Sequence, residues 1–425
     1  MRAALEAVIG NYSIYKARKD KFETGQKIPF RVSPVPFQLT LEQKREIYTI
    51  GHDVTAYFQV VDEIYQKDIG LKAILDMGKP QIFINNQPSH YLFVRPDLIL
   101  TPQGFSLCEI ETSPFGLALA EILNRAYQSE GFETLIPKST LSEEVKKRTP
   151  VDGKIIFSNK TQAYSGQMAF LADQIFSDTG RKWQAETAQE YVENEEHDNI
   201  YRGFYLGEYL TDPYIHFLID DYFENNNYQL LPSPTPYLEE KAILSFIYDK
   251  RFEKNLKHKL GNATFKHLRN IIPPTWIVGQ EKYFSQGLPG NVSTSLDLAR
   301  LPRSKRTLVL KSSGFSEDSS WKEGVRFLHK ESIANATKLL QQAQENKSHL
   351  YIIQEFKKAI DISMKYEKLE DERVHLPMTA RVRLTPYFSL PKDGQTDRLI
   401  AIKATACENT DFIHASSISI NTSVS

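Results

Sequence analysis

Residues 91–112 read YLFVRPDLILTPQGFSLCEIET, two β-prone arms, Tyr91 to Leu100 and Phe105 to Thr112, joined by Thr101-Pro102-Gln103-Gly104. Pro suits the opening of a type I turn and Gly the left-handed position that follows, so a three-residue hairpin loop, Pro102-Gln103-Gly104, is predicted. That loop pairs Thr101 with Phe105 and carries the register back to Asp97 opposite Glu109 and Arg95 opposite Glu111, all on one face. Leu98, Leu100, Cys108 and Ile110 then form the packed face. Two carboxylates facing each other across a ladder repel unless a cation lies between them. Such oxygen ligands suit Mg²⁺, which is usually held by one or two carboxylates together with substrate phosphates. The same pattern also describes the solvated face of an amphipathic hairpin, and the hairpin alone does not choose between the two.

The 425 residues, 41% hydrophobic and 25% charged, are enough for two or three domains with a large buried core. A formal net charge of −1 gives no footprint for nucleic acid or a membrane surface. Cys108 and Cys407 have no ligand-like spacing and read as small buried hydrophobes in a reducing compartment. The opening MRAALEAVIGNYSIYKARKD has only a short apolar run beside mixed charges, so neither a signal peptide nor a membrane span is expected and the location expected is cytoplasmic.

Outward from the hairpin, residues 41 to 75 show apolar positions at helical spacing, and Leu117 to Tyr127 reads as a helix approached by Ser113-Pro114. Gly153 to Ser158, a helix over Tyr164 to Phe176 and a strand near Trp183 form a βαβ-like pattern that argues for an α/β layer. Tyr191 to Asn199 is acidic and reads as a solvated loop. Leu231 to Pro236 (LPSPTP) marks a boundary, after which Leu238 to Lys259 reads as one long helix with Thr235 as N-cap and Pro236 at the first position. Gly287 to Arg303 reads as loop. Strands are expected at Thr307 to Lys311, Leu350 to Phe356, Thr379 to Pro386 and Leu399 to Ala406, with a helix over Ser332 to Glu345. Three regions follow: a helical or mixed one over 1–90, an α/β one carrying the hairpin over 91–230, and a third over 231–425.

A second constellation lies in the third region. Lys311 closes an apolar strand and leads into SSGFSEDSSWKEGV, where small residues leave backbone amides free to surround phosphate oxygens beside a positive charge. The GxxxxGK[ST] order of a Walker A motif is absent. About 40 residues downstream, the gap a helix and a strand require, HLYIIQEF ends a buried strand in Gln354-Glu355, groups able to bind the amino edge of adenine. Taken singly, each piece also reads as an ordinary loop or strand end.

The order of the pieces resembles the circularly permuted ATP-grasp proteins, the group that includes glutathionylspermidine synthetase. RPDLILTPQGFSLCEIETSPFGLALAEILNRAY resembles their metal-binding segment. KAILSFIYDKRF, IPPTWIV, LVLKSSGFSEDSSWKEGV, YIIQEF and ARVRLTPYF resemble, in order, their nucleotide half, and the series covers roughly residues 90 to 410. The resemblance implies an α/β fold of α+β layers, a circularly permuted ATP-grasp with an N-terminal pre-ATP-grasp-like region, and ATP and Mg²⁺ as cofactors. Asp97, Glu109 and Glu111 would be the metal ligands, with Glu111 where the family commonly has Asn. Lys241 and Lys311 would contact ATP phosphates, Ser313 and Gly314 would belong to the phosphate-covering loop, and Gln354 and Glu355 would lie at the adenine hinge. Arg95, Arg381 and Arg383 would face phosphate or an acyl-phosphate. The implied activity is an ATP-dependent carboxylate-amine ligase acting on a small peptide or amino-acid-like substrate, with neither nucleic acid nor membrane as partner. A kinase on the same fold, or a nucleotide- or peptide-binding protein that has lost catalysis, remains open, and Glu111 is the best sequence support for the latter.

Overall fold

The computed structural model describes residues 5, 8, 11–12, 30–84, 90–113, 115–137, 140–148, 152–193, 199–225, 228–316, 324–367, 374–390, 398–408, 410–414 and 419–425. Three sheets organise them. The largest has seven strands in the order Ile362–Glu367, Arg31–Val32, Ile420–Thr422, Arg398–Glu408, Val374–Ser389, Phe93–Thr101 and Gly104–Glu111. Additional pairing of Ile362–Glu367 with Val374–Ser389 returns the order on itself and leaves the hairpin as an extension from the long Val374–Ser389 strand. A four-stranded antiparallel sheet is built from Val325–Phe327, Leu308–Ser312, Tyr351–Glu355 and Thr275–Ile277. The third sheet is parallel and runs Trp183–Thr187, Gly153–Phe157, Asn199–Gly203, Leu230–Leu231, with the helix Ser165–Thr179 crossing between its first two strands in sequence.

The N-terminal helical region begins at a capping box, in which the Thr40 hydroxyl accepts from the Gln43 amide and the Gln43 side chain accepts from the Thr40 amide. The helix Leu41–Lys67 ends at Asp68, whose extended backbone breaks it and whose carboxylate caps the next helix, Ile69–Leu75, through the Leu71 amide. Ile47, Val54, Phe58 and Val61 on the long helix enter one core cluster with Leu98, Leu107, Leu384 and Phe388 of the large sheet. Gly51 lies where Phe388 crosses the helix, so close that a Cβ could not be placed without moving the buried ring.

The hairpin reproduces the expected charged register by a different route. The turn is two residues long, Thr101 pairs with Gly104 rather than Phe105, and the register shifts between Asp97 and Leu98 because Cys108 is an extra residue in its strand. The bulge restores Asp97 opposite Glu109 and Arg95 opposite Glu111. It also moves Cys108 off the expected packed face, which is filled by Leu98, Leu100, Leu107 and Ile110, and places it with Ile99, Ala359 and Cys407. The hairpin hydrogen-bonds to Val374–Ser389, with Ile99 opposite Arg383 and Leu98 opposite Leu384.

The long helix expected over Leu238 to Lys259 does not form. Thr235 and Pro236 do open a helical turn, but it is a 3₁₀ turn over Pro236–Glu239, followed by a second over Lys241–Tyr248 and an α-helix over Glu253–Leu260. Every residue of KAILSFIY is buried, so the segment has no solvent face to shape an amphipathic helix and is threaded through the core. Tyr57 donates to the Ile243 carbonyl across this junction. Gly287 to Arg303 holds short helical turns, including Ser295–Leu298 capped by Thr294. Part of the acidic 191–199 stretch and residues 317–323 of the polar loop lie outside the described residues. No helix among the described residues is long and apolar enough to cross a membrane.

Two outcomes follow from this packing. Gly51→Ala, despite a helix propensity gain of roughly 1 kcal/mol, should lower stability in urea unfolding by about 1–3 kcal/mol, and an unchanged midpoint would show that the Phe388 ring yields. His267 is gripped by Asp53 at 2.6 Å and Glu46 at 2.9 Å, and these hydrogen bonds, opposed by burial, hold its pKa above the ordinary 6.5. Its contribution is therefore full below pH 6.5 and lost as pH rises through the raised folded value. Wild type should lose stability over that window relative to His267→Gln, and parallel pH profiles would contradict the assignment.

Candidate functional site

Alternation along three neighbouring strands collects the charged side chains. Asp97, Glu109 and Arg383 leave the large sheet on the same side, because Arg383 lies opposite Ile99, two residues from Asp97. Asp97 is only 2% exposed. Its Oδ2 lies 3.0 Å from Arg383 Nη1 and its Oδ1 3.3 Å from Arg95 Nε, in a geometry that gives Oδ1 no hydrogen bond. Burial alone would raise the Asp97 pKa, but Arg383, Arg95 and Lys403 outweigh it and hold the carboxyl below its ordinary range.

Arg95 is the shared counterion of the hairpin. Its Nη2 meets Glu111 Oε2 at 2.6 Å and its Nη1 donates to the Phe115 carbonyl at 2.9 Å. Burial opposes the guanidinium charge, yet Asp97 and Glu111 raise its pKa well above the usual value. Glu111 also accepts from the Ser113 hydroxyl at 3.0 Å, and burial keeps its pKa raised in spite of Arg95. Glu109 turns to Lys241 Nζ at 2.8 Å; burial raises its pKa, but Lys241 wins and lowers it.

Asp97, Glu109, Lys241, Lys311, Gln354, Glu355, Arg381 and Arg383 all line one cleft. Arg95, Glu111, Ser313 and Gly314 are not among the residues that line it. Lys311 donates to the Cys108 carbonyl at 3.0 Å, freed by the bulge, and to Gln354 Oε1 at 2.7 Å, while Gln354 Nε2 donates to Thr275 at 3.1 Å. Desolvation depresses the Lys311 pKa. Glu355 is ion-paired with Lys357 at 2.8 Å, and Arg381 with Asp361 at 2.9 Å and Asp411 at 2.5 Å. Phe327, Phe356 and Phe412 form an edge-to-face aromatic wall beside Gln354 and Glu355.

Several contributors escape the sequence reading. Lys403, 4% exposed, has its pKa pushed down to about 7 by burial and then by Arg383. A lysine inside the apolar run LIAIKATA was the available signal. Cys108, its thiol pushed up to about 11 by burial, had none, because the bulge that turns it to the cleft follows from the shorter turn. Lys79 and Glu240, a fully buried pair at 2.6 Å, are 161 residues apart and equally silent in sequence.

The residues fit a polyphosphate with its metal better than a metal alone. Among the described residues no three His, Cys, Asp or Glu side chains converge as a metal site, because each hairpin carboxylate is already matched by a cation. Asp97 and Glu109 nevertheless face the cleft, with Asp97 Oδ1 as a buried acceptor lacking a hydrogen bond. One or two carboxylates completed by phosphate oxygens is the usual way Mg²⁺ is held.

No family model and no curated protein matches this sequence. The mixed α/β architecture of the chain has a likeness among solved structures. The chain is similar to the structure of a glutathione synthetase-like effector from Globodera pallida in its apo form, at 12% identity and a TM-score of 0.56, covering 100% of this chain and 97% of that one.

The ion-pair geometry has a direct consequence. Arg95→Met leaves the half-buried Glu111 carboxylate without its cation and the buried Asp97 with one fewer, so unfolding free energy should fall by about 3–5 kcal/mol. A fall below about 1 kcal/mol, the size of a surface pair, would show that Arg95 does not organise the site.

Proposed function

We propose that this chain is an ATP-dependent carboxylate-amine ligase on a circularly permuted ATP-grasp fold, acting on a small peptide or amino-acid-like substrate. The observation that carries the reading is the convergence of Lys241, Lys311, Arg381 and Arg383 on one cleft with Asp97, Glu109 and the Gln354-Glu355 strand end. The order of metal hairpin before nucleotide strands supports the permuted arrangement. Asp97 and Glu109 would hold Mg²⁺ arriving with the nucleotide, which would supply charge neutralisation at the transferring phosphoryl group. Lys241 and Lys311 would hold the transferring phosphoryl group, and Arg383 would sit over the acyl-phosphate formed as ADP leaves. Attack by an amine then forms the amide, with phosphate departing and the amine proton passing to solvent. Arg95, outside the lining, would act by orienting Asp97 and Glu111.

A second reading is nucleotide binding without turnover. Its support is Glu111, held on Arg95 and Ser113 and absent from the cleft lining.

Phosphate release with pooled amino acids, short peptides and polyamines, followed by mass spectrometry of products, separates the readings. The ligase reading expects ADP and an amide only when carboxylate and amine are both present, with Glu109→Ala and Lys311→Ala each slowing turnover about a hundredfold or more. A stable phosphorylated product without amide would indicate a kinase, nucleotide binding without ADP formation would favour the second reading, and turnover surviving both substitutions would remove the assignment.

A further inference from the structure

Three consecutive residues, Glu239-Glu240-Lys241, tie four separate parts of the chain together. The Glu239 carboxylate accepts from the buried Arg202 guanidinium and from the Leu206 amide at 3.0 Å, both at the end of the parallel sheet. Glu240 pairs with Lys79, from the N-terminal region, at 2.6 Å, with both side chains fully buried. Its second oxygen accepts from the Ser313 hydroxyl, which in turn accepts from the Ala242 amide at 2.7 Å. Lys241 reaches Glu109 at 2.8 Å, and its own amide donates to the Ser313 carbonyl at 3.1 Å.

The root of the Ser-Gly loop is clamped from both sides of this tripeptide. A Cβ on Gly314 would lie 2.5 Å from the Glu239 carbonyl oxygen, so only glycine lets the two backbones meet. Phe315 adopts a left-handed φ of +46° and buries its ring at 5.2 Å from Phe83, while Lys79 Nζ lies 5.8 Å from the same ring. Gly207 abuts the Phe315 and Ser316 backbone. A left-handed phenylalanine persists only where its surroundings over-determine it.

We propose that Glu240 is a positioning residue for the cleft, which through Lys79 and Ser313 fixes the root of the Ser312–Ser316 loop and the direction of Lys241. Ser313 on this account anchors the loop with its side chain and does not contact phosphate with it. The buried pair has a reason to be ionic: a hydrophobic substitute could fill the space, but it would not present a charged acceptor to the Ser313 hydroxyl. The nucleotide consequence rests on the ligase reading, while the anchoring itself does not.

Hydrogen exchange followed by mass spectrometry tests the anchoring in the ligand-free protein. Glu240→Gln and Ser313→Ala should each speed exchange in the peptide spanning 312–316 by about tenfold, with the Ser165–Thr179 helix unchanged. Lys79→Met/Glu240→Gln removes both buried charges, so it should recover thermal stability relative to Glu240→Gln yet still exchange faster than wild type at the loop root. Titration of Mg·ADP should show the same variants binding about tenfold more weakly, a shift of about 1.4 kcal/mol. Unchanged exchange at 312–316, or full Mg·ADP affinity in a variant with a loosened loop root, would overturn the proposal. Failure of wild type to bind Mg·ADP while exchange responds as described would support the anchoring and count against the ligase reading alone.

Discussion

A carboxylate buried on a sheet must be neutralised where it stands, and Asp97 sets that requirement for this molecule. Removing an ion from water costs several kcal/mol unless opposite charges and hydrogen bonds replace the solvent. The structure meets the demand from adjacent strands. Arg95 comes from the same strand, Arg383 from its neighbour and Lys403 from the strand beyond, and together they keep Asp97 ionised against desolvation. Arg95 then serves Glu111, and Lys241 serves Glu109. The hairpin, the long Val374–Ser389 strand and the Lys241–Tyr248 segment are bound to one another by this charge pattern as much as by the shared core of Leu98, Leu384 and Leu244.

The same pattern sets the chemistry available to the cleft. Its lining carries five cations, Lys241, Lys311, Lys357, Arg381 and Arg383, against four carboxylates, Asp97, Glu109, Glu355 and Asp411. A bare divalent ion would meet carboxylates already paired with cations, whereas a polyphosphate carrying its own metal would add charge of both signs and could exchange with the existing pairs. Lys311 shows how near the site is to that exchange. It is held by a carbonyl and an amide, with its charge disfavoured by burial, so a phosphate oxygen would be a better partner than those it has.

The sequence made the charged face of the hairpin legible but not its geometry. Asp97 opposite Glu109 came out as expected because a shorter turn and a bulge at Cys108 offset each other, and period-two alternation cannot distinguish that from a longer turn without a bulge. Lys311 with its loop and the Gln354-Glu355 strand end were readable because each sits where an apolar run meets polar residues. Leu238 to Lys259 does not form the expected helix because Lys241–Tyr248 is buried at every residue, and burial on all sides selects tight 3₁₀ turns as readily as a helix. Lys79 with Glu240 and Arg202 with Glu239 were invisible because only tertiary structure brings them together.

On the function proposed above, the cleft would accept a metal-bearing polyphosphate and not a metal alone. Calorimetric titration of the wild-type protein with Mg²⁺, and separately with Mg²⁺ and a non-hydrolysable ATP analogue, distinguishes the two. Saturable binding only when the nucleotide accompanies the metal is the predicted result. Tight binding of Mg²⁺ by itself, or no heat with the Mg²⁺-nucleotide pair, would contradict it.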